Sequence, residues 1–132
     1  LLSVARAKIP SSVDGHSLLP LLKAPGTSVR SWLHGEHSYG EFSNHWIVTE
    51  TDKYIWHSQT GQEQYFDLSA DPHELHDQID NPQAQERIQT LRGHLIKTLT
   101  ARPEGFTDGQ NLIPGRPYPP TLPHLNATRT FL

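Results

Sequence analysis

The sequence predicts a small α+β fold, in which an antiparallel sheet of about four strands is covered by one long C-terminal helix and followed by an extended Pro-rich tail. Two patterns predict it. Between residues 30 and 68, short segments of aromatic and β-branched residues alternate with polar turns, as strands do. From residue 82 onward, apolar residues recur at spacings of three and four, as they do along an amphipathic helix.

Four segments have the composition of strands: residues 31–36, 45–50, 53–57 and 62–68. In the second segment, Trp46 and Val48 share one face, and His45, Ile47 and Thr49 share the other, because side chains alternate along a strand. Bulky residues on both faces predict a central strand. The connections between segments two, three and four are short, so neighbouring strands are expected to be antiparallel.

The helix is predicted from residue 82 to residue 102. Asn81 can cap its first turn, and Pro82 suits the first helical position, where no amide donor is needed. Pro103 ends it. One face carries an apolar stripe that we expect to lie on the sheet: Ile88, Leu91, Leu95 and Leu99.

These elements divide the chain into three parts. Residues 1–29 are interpreted as a linker and remnant of a preceding domain, with a helix end from Leu1 to Ala7. A leucine cluster within residues 18–22 is expected to anchor a core. Residues 30–105 form the predicted subdomain, and residues 106–132 form a Pro/Gly-rich tail.

The composition of the chain argues against several classes of function. A formal charge of −3 with scattered Lys and Arg argues against nucleic acid as a partner. No stretch approaches the apolar length of a membrane span. The chain has no cysteine, which excludes a thiol nucleophile and leaves the compartment open; a periplasmic or extracytoplasmic location is compatible. Without a methionine and beginning Leu1-Leu2, the chain is expected to be a fragment.

The densest group of ionisable residues is His34-Gly35-Glu36-His37. On a strand end, His34 and Glu36 face one side and His37 faces the other, which does not give the ligand spacing of a zinc site. Gly35 permits close approach of another group. The two remaining interpretations are hydrogen bonding to a substrate and a structural hydrogen-bond role.

Two further features of the sequence carry charge, a lysine and an acidic run. Lys53 could face a sulfate, although a lysine at a hairpin edge is more commonly solvated. The run Asp71-Pro72-His73-Glu74 is interpreted as local structure, with Asp71 capping a turn and Glu74 lying near a helix N-terminus.

Three segments of the sequence carry a family resemblance: Asp14-Gly15-His16-Ser17-Leu18-Leu19-Pro20-Leu21-Leu22, Trp32 to His37, and the run from Lys53-Tyr54-Ile55-Trp56 to Asp71-Pro72-His73-Glu74. In this order they resemble the C-terminal subdomain of type I sulfatases, the formylglycine-dependent, arylsulfatase-like enzymes of the alkaline phosphatase superfamily. The resemblance covers roughly residues 11–108. It implies a four-stranded antiparallel sheet with a packed helix.

The resemblance also implies hydrolysis of sulfate esters by a formylglycine and a calcium ion. Formylglycine arises from Cys or Ser in a C/S-x-P/A-x-R motif, and Ser3-Val4-Ala5-Arg6 is one residue too short for it. The nucleophile and calcium site are therefore expected in an N-terminal catalytic domain outside this chain, and the chain alone is expected to be inactive. The resemblance further departs at Thr51-Asp52-Lys53, where family members often carry an Arg.

We therefore expect a sulfatase C-terminal fragment that completes the substrate cleft. Its expected partners are its own N-terminal catalytic domain and a sulfated small molecule or carbohydrate. The candidate substrate-binding residues are His34, Glu36 and His37, with no metal ligand or catalytic residue among them. The alternative is a stand-alone carbohydrate- or protein-binding module without catalysis, and an independent metal-dependent hydrolase built on the histidines is the weakest interpretation.

Overall fold

The computed structural model describes residues 2–13, 15–24, 26–38 and 40–117. It separates into two compact units, residues 1–31 and 32–132. The second unit is a four-stranded antiparallel sheet with one long helix, which confirms the predicted α+β fold class. Among the described residues, no helix has the length and apolar character needed to cross a membrane.

The first unit differs from its prediction. Residues 2–6 form turns instead of the end of a helix, and Arg6 has a left-handed φ of 52°. Helix α1, Leu19–Lys23, has no buried residue, and Leu18 and Leu22 are 63% and 80% exposed. The leucine cluster therefore anchors no core within this unit, because so short a segment has too little surface of its own to bury them.

The sheet has the strand order β1-β2-β3-β4, where the strands are Leu33–His37, Asn44–Val48, Asp52–His57 and Glu63–Asp67. A short 3-10 helix, Gly40–Phe42, connects β1 to β2. Strands β2 and β3 are central, which confirms the prediction made for β2. The predicted strands match these to within two residues at each end.

Helix α2, Gln85–Leu99, lies on one face of the sheet and begins directly after a 3-10 turn, Pro82–Ala84. The Asn81 side chain accepts a hydrogen bond from the Gln83 backbone N–H, which confirms the predicted cap. The four residues of the apolar stripe are all buried, and they pack with Ile47, Tyr54, Trp56 and Tyr65 from the sheet.

Three arginines fix the helix segment over the sheet. Arg87 pairs with Asp52 on β3, Arg92 pairs with Glu63 on β4, and Arg102, just beyond the helix, pairs with Glu36 on β1. Because the three acids lie on three different strands, these pairs define the orientation of α2 across the sheet.

The core continues past residue 105, where the tail was predicted to begin. Phe106 is fully buried and packs edge-on against Trp56 at 5.9 Å between ring centroids. Thr107 forms a β-bridge with Leu112, and the Gly115 N–H donates to the Ser58 carbonyl at 2.9 Å. Residues 106–117 are therefore held against the sheet; the rest of the predicted tail, 118–132, lies outside the described residues.

Candidate functional site

The candidate residues lie toward one end of the sheet, where β1 ends and β2 begins. The register pairs His34 with Ile47, Glu36 with His45 and His37 with Asn44. Since neighbouring side chains on a strand point to opposite faces, His34 and Glu36 lie on the helix-covered face and His37 lies on the other. The structure thus brings His34 and Glu36 together and separates His37 from them.

A histidine that sequence reasoning did not select, His45, forms the centre of the group on the helix face. Its Nδ1 lies 3.2 Å from His34 Nε2 and 3.5 Å from a Glu36 carboxylate oxygen. The ring is fully buried and packs against Trp56 at 5.8 Å and Phe106 at 5.1 Å between centroids. His45 therefore ties the candidate strand end to the hydrophobic core.

Arg102 closes this group from the end of the helix segment. It donates to Glu36 at 2.9 Å and to Glu104 at 2.6 Å. These contacts raise the pKa of the guanidinium, chiefly through the Glu104 hydrogen bond, and the same bond lowers the pKa of Glu104. We call His34, Glu36, His45, Arg102 and Glu104 the histidine–arginine cluster.

Burial decides the charge of the two histidines. It lowers the pKa of His45 to about 4, against the opposing effect of Glu36, and it lowers the pKa of His34 in the same direction. Both rings are therefore neutral at pH 7. With two carboxylates facing one guanidinium, the histidine–arginine cluster is net negative, and it is unsuited to bind a sulfate group.

The cluster contains three ligand-type atoms close together. One atom each from His34, Glu36 and His45 lies within 4.8 Å of the others, a separation that metal ligands can have. However, Arg102 bonds the same Glu36 oxygen that lies nearest to His45, and its fixed positive charge would repel a cation. We therefore assign no metal to these residues.

On the opposite face, His37 begins a row of three polar side chains. Asn44 pairs with His37 across β1 and β2, and with His57 across β2 and β3. The His57 ring also lies 3.1 Å from the Gln64 side-chain oxygen. This polar row carries one amide and two imidazoles, groups that can donate and accept hydrogen bonds, as hydroxyl groups require.

The charged residues outside this end of the sheet have structural partners. Lys53 donates to Glu74 at 2.7 Å, so its ammonium already has a carboxylate partner. Glu74 was predicted to lie near a helix N-terminus, but it occupies a turn with φ 55° and is held there by Lys53. Asp71 accepts a bond from the His76 N–H at 2.7 Å, which confirms that it caps the turn.

Sequence patterns do not identify His45, Arg102 and Glu104, because the contacts of these residues form only in the folded chain. Arg102 meets Glu36 across 66 positions of sequence, a contact that no local pattern contains. The alternation of β2 did place His45 on the same face as Ile47, but only the register across β1 and β2 sets it opposite Glu36. The register was not predictable because the loop between these strands contains an irregular helical turn.

Comparison with known proteins agrees with this architecture. A family model for the C-terminal part of N-sulphoglucosamine sulphohydrolase matches residues 1–101. An arylsulfatase of Clostridium perfringens (strain 13 / Type A) is 50% identical over 125 residues, which cover 95% of this chain and 26% of the relative. The chain thus spans about a quarter of that protein's length.

Two solved structures share the fold, each with a TM-score of 0.68. One was determined in complex with its substrate D-glucosamine-2-N,6-O-disulfate, is 22% identical, and is matched over 75% of this chain and 22% of its own. The other is a 2-O GAG sulfatase, 20% identical, matched over 80% of this chain and 24% of its own. From the family match and the identity to the arylsulfatase, this chain belongs to the sulfatases and is a C-terminal sulfatase subdomain.

Proposed function

We propose that this chain serves a sulfuric ester hydrolase by lending hydrogen bonds to the organic part of a sulfated substrate. The observation that carries the proposal is the charge of the candidate site. The histidine–arginine cluster is net negative, and the polar row contains no Lys, Arg, Asp or Glu, so both suit hydroxyl groups of a carbohydrate or small molecule better than they suit an anionic sulfate.

In this proposal, another part of the enzyme binds the sulfate group and hydrolyses the sulfate ester. The chain has no cysteine, and its described residues include no carboxylate cluster free of arginine that could hold calcium. These residues do not fit a formylglycine and calcium centre, which we place in the N-terminal catalytic domain. The role of His34, Glu36 and His37 is then to bind and orient the substrate.

A chimera with the related arylsulfatase tests this role. The matching C-terminal quarter of the Clostridium perfringens enzyme is replaced by this chain, and kcat and KM are measured with an aryl sulfate and with a sulfated sugar. Loss of one hydrogen bond costs about 0.5–1.5 kcal/mol, so His37→Ala and Glu36→Gln should each raise KM by about 2- to 10-fold.

A matched control comes from the same chain. His73 is an exposed histidine in the turn after β4, far in sequence from the candidate site, and His73→Ala should leave KM unchanged. An active chimera in which neither His37→Ala nor Glu36→Gln changes KM would refute the substrate-binding role. It would then favour an architectural role for this end of the sheet.

A further inference from the structure

A polar cavity of about 480 Å³ opens between the end of β4 and the start of the helix segment. Sites for small molecules commonly have volumes of about 300–1,000 Å³. The polar side chains of its wall come from β4, from the turn after it and from the helix segment: Asp67, Asp71, His76, Gln78, Gln83 and Arg87. We call this the β4–α2 cavity.

The β4–α2 cavity and the candidate site lie at opposite ends of the sheet. The register pairs Asp67 with Asp52 at the end of β4, whereas His37, Asn44 and His57 are paired at the other end. Strands of this length span roughly 17–20 Å. The cavity is therefore a separate feature that the candidate site does not use.

Backbone donors hold the two carboxylates of the cavity in place. Asp67 Oδ1 accepts hydrogen bonds from the N–H groups of Ser69 and Ala70, at 2.9 and 3.2 Å. Asp71 Oδ2 accepts a hydrogen bond from the His76 N–H at 2.7 Å. Because the folded chain itself sets these positions, little conformational entropy would be lost when a ligand binds.

The guanidinium in the cavity wall is neutralised by a buried carboxylate. Arg87 Nε donates at 2.7 Å to Asp52, which is only 6% exposed and also accepts a hydrogen bond from the Tyr65 hydroxyl. The Arg87 side chain remains 42% exposed. It therefore offers N–H donors to a ligand while its positive charge is balanced by Asp52.

Charge decides which ligands suit the cavity. Even with His76 protonated, Asp67 and Asp71 leave the wall net negative, so it is unsuited to sulfate, phosphate or a nucleic acid. Within the described residues, these carboxylates and His76 do not form a group of three ligands at metal-binding separations. An organic cation would leave the donors of Arg87 and Gln83 unused, whereas hydroxyl groups both donate and accept hydrogen bonds. A polyhydroxyl ligand without anionic groups fits the wall best.

We propose that the β4–α2 cavity binds an unsulfated sugar unit. The two carboxylates accept hydrogen bonds from the sugar hydroxyl groups, and the Gln83 amide and the Arg87 guanidinium donate to them. Because the cavity lies at the end of the sheet away from the polar row, the inference does not rest on the substrate contacts proposed above. Such a site would hold a part of a carbohydrate that is remote from the sulfate ester being cleaved.

An NMR titration of the chain tests this site. Glucose, galactose and N-acetylglucosamine are added in turn, and the backbone and side-chain amide signals of Gln78 and Gln83 are followed. At least one sugar should shift these signals saturably, with a Kd on the order of 1–10 mM, and galactose-6-sulfate should bind more weakly than galactose.

Variants of the wall test the contacts themselves. Loss of a hydrogen bond should raise the Kd about 2- to 10-fold in Gln83→Ala and in Asp67→Asn. The Gln83 side chain makes no hydrogen bond to the described part of the chain, so its removal leaves the fold intact. Gln89→Ala, on the exposed face of α2, is the control and should not change the Kd.

No saturable shift at Gln78 and Gln83 with any of the three sugars would overturn the inference. Tighter binding of putrescine than of every sugar would also overturn it, because the cavity would then be a cation site, as would equal binding of galactose and galactose-6-sulfate. An unchanged Kd in both wall variants would place the sugar elsewhere on the chain. Shifts confined to His37, Asn44 and His57 would likewise reject the cavity while supporting the substrate contacts proposed above.

Discussion

At the residue scale, Gly35 and Trp46 form a close contact that a single added Cβ at Gly35 would disturb. Replacement of Gly35 by Ala would place a Cβ 2.3 Å from the indole, so the ring or the strand must move. Overpacking of this kind typically costs about 1–3 kcal/mol. We predict that Gly35→Ala lowers the free energy of unfolding by this amount, as measured by urea denaturation of the isolated chain.

Gly93 provides the matched control for Gly35→Ala. It lies in α2, where an added Cβ would meet no described atom within 4 Å apart from the neighbouring residues and backbone of the helix itself. Alanine is the better helix former by about 1 kcal/mol, so Gly93→Ala should stabilise the chain slightly. Equal effects of the two substitutions would show that the indole does not lie over Gly35.

His45 should make stability depend on pH. Its pKa is about 4 in the folded chain, because the ring is buried, and near 6.5 when unfolded. The unfolded chain therefore binds more protons between these values, and the stabilisation present above pH 6.5 is lost as the pH falls toward 4. The lowered pKa of His34 acts in the same direction.

We predict a loss on the order of 1–3 kcal/mol between pH 6.5 and pH 4, measured by denaturation at each pH. The carboxylates with lowered pKa values contribute mainly at more acidic pH, so they do not account for this window. In His45→Gln, the loss over the same window should shrink. An NMR titration that placed the pKa of His45 near 6.5 would exclude the mechanism.

At the scale of the elements, the start of the helix segment depends on one cap. Asn81 accepts from the Gln83 N–H at 3.0 Å. Asn81→Ala removes this acceptor and should cost about 1 kcal/mol, whereas Asn81→Asp keeps an oxygen at the cap and should cost little. Thermal unfolding of the two variants, followed by circular dichroism, separates the cap from a general effect of substitution.

The segment after the helix is part of the subdomain because of Phe106. A chain ending at residue 117 keeps this buried ring and the bond from Gly115 to Ser58, whereas one ending at residue 105 loses both. Since removal of a buried Phe side chain costs about 3–5 kcal/mol, the shorter chain should be destabilised by at least that amount. Similar unfolding midpoints for the two chains would place the boundary at residue 105 after all.

Much of the architecture could be predicted because its strands and its helix follow from local sequence patterns. The alternation in β2 and β3, the stripe from Ile88 to Leu99 and the Asn81-Pro82 start all follow from neighbouring residues. Phe106 was assigned to a tail because one aromatic residue among Pro and Gly has no periodicity to reveal its burial. The leucines near α1 were assigned to a core that this unit is too small to form.

The candidate site was only partly predictable, because only some of its contacts follow from local sequence patterns. The residues from His34 to His37 were found as a dense group, and alternation gave the correct faces. Their partners His45 and Arg102 depend on strand register and on a contact across the whole subdomain. The charge of the site, which decides what it can bind, is a property of those partners.

For the whole molecule, the contribution of this subdomain to sulfatase activity can be measured as the release of sulfate from a sulfate ester. Three proteins are compared with the same sulfate ester: the isolated chain, the Clostridium perfringens arylsulfatase truncated before its matching quarter, and the chimera that joins the truncated enzyme to this chain. We expect no release from the isolated chain and far more from the chimera than from the truncated enzyme. Release by the isolated chain, or full activity of the truncated enzyme without it, would show that this subdomain does not complete a sulfatase.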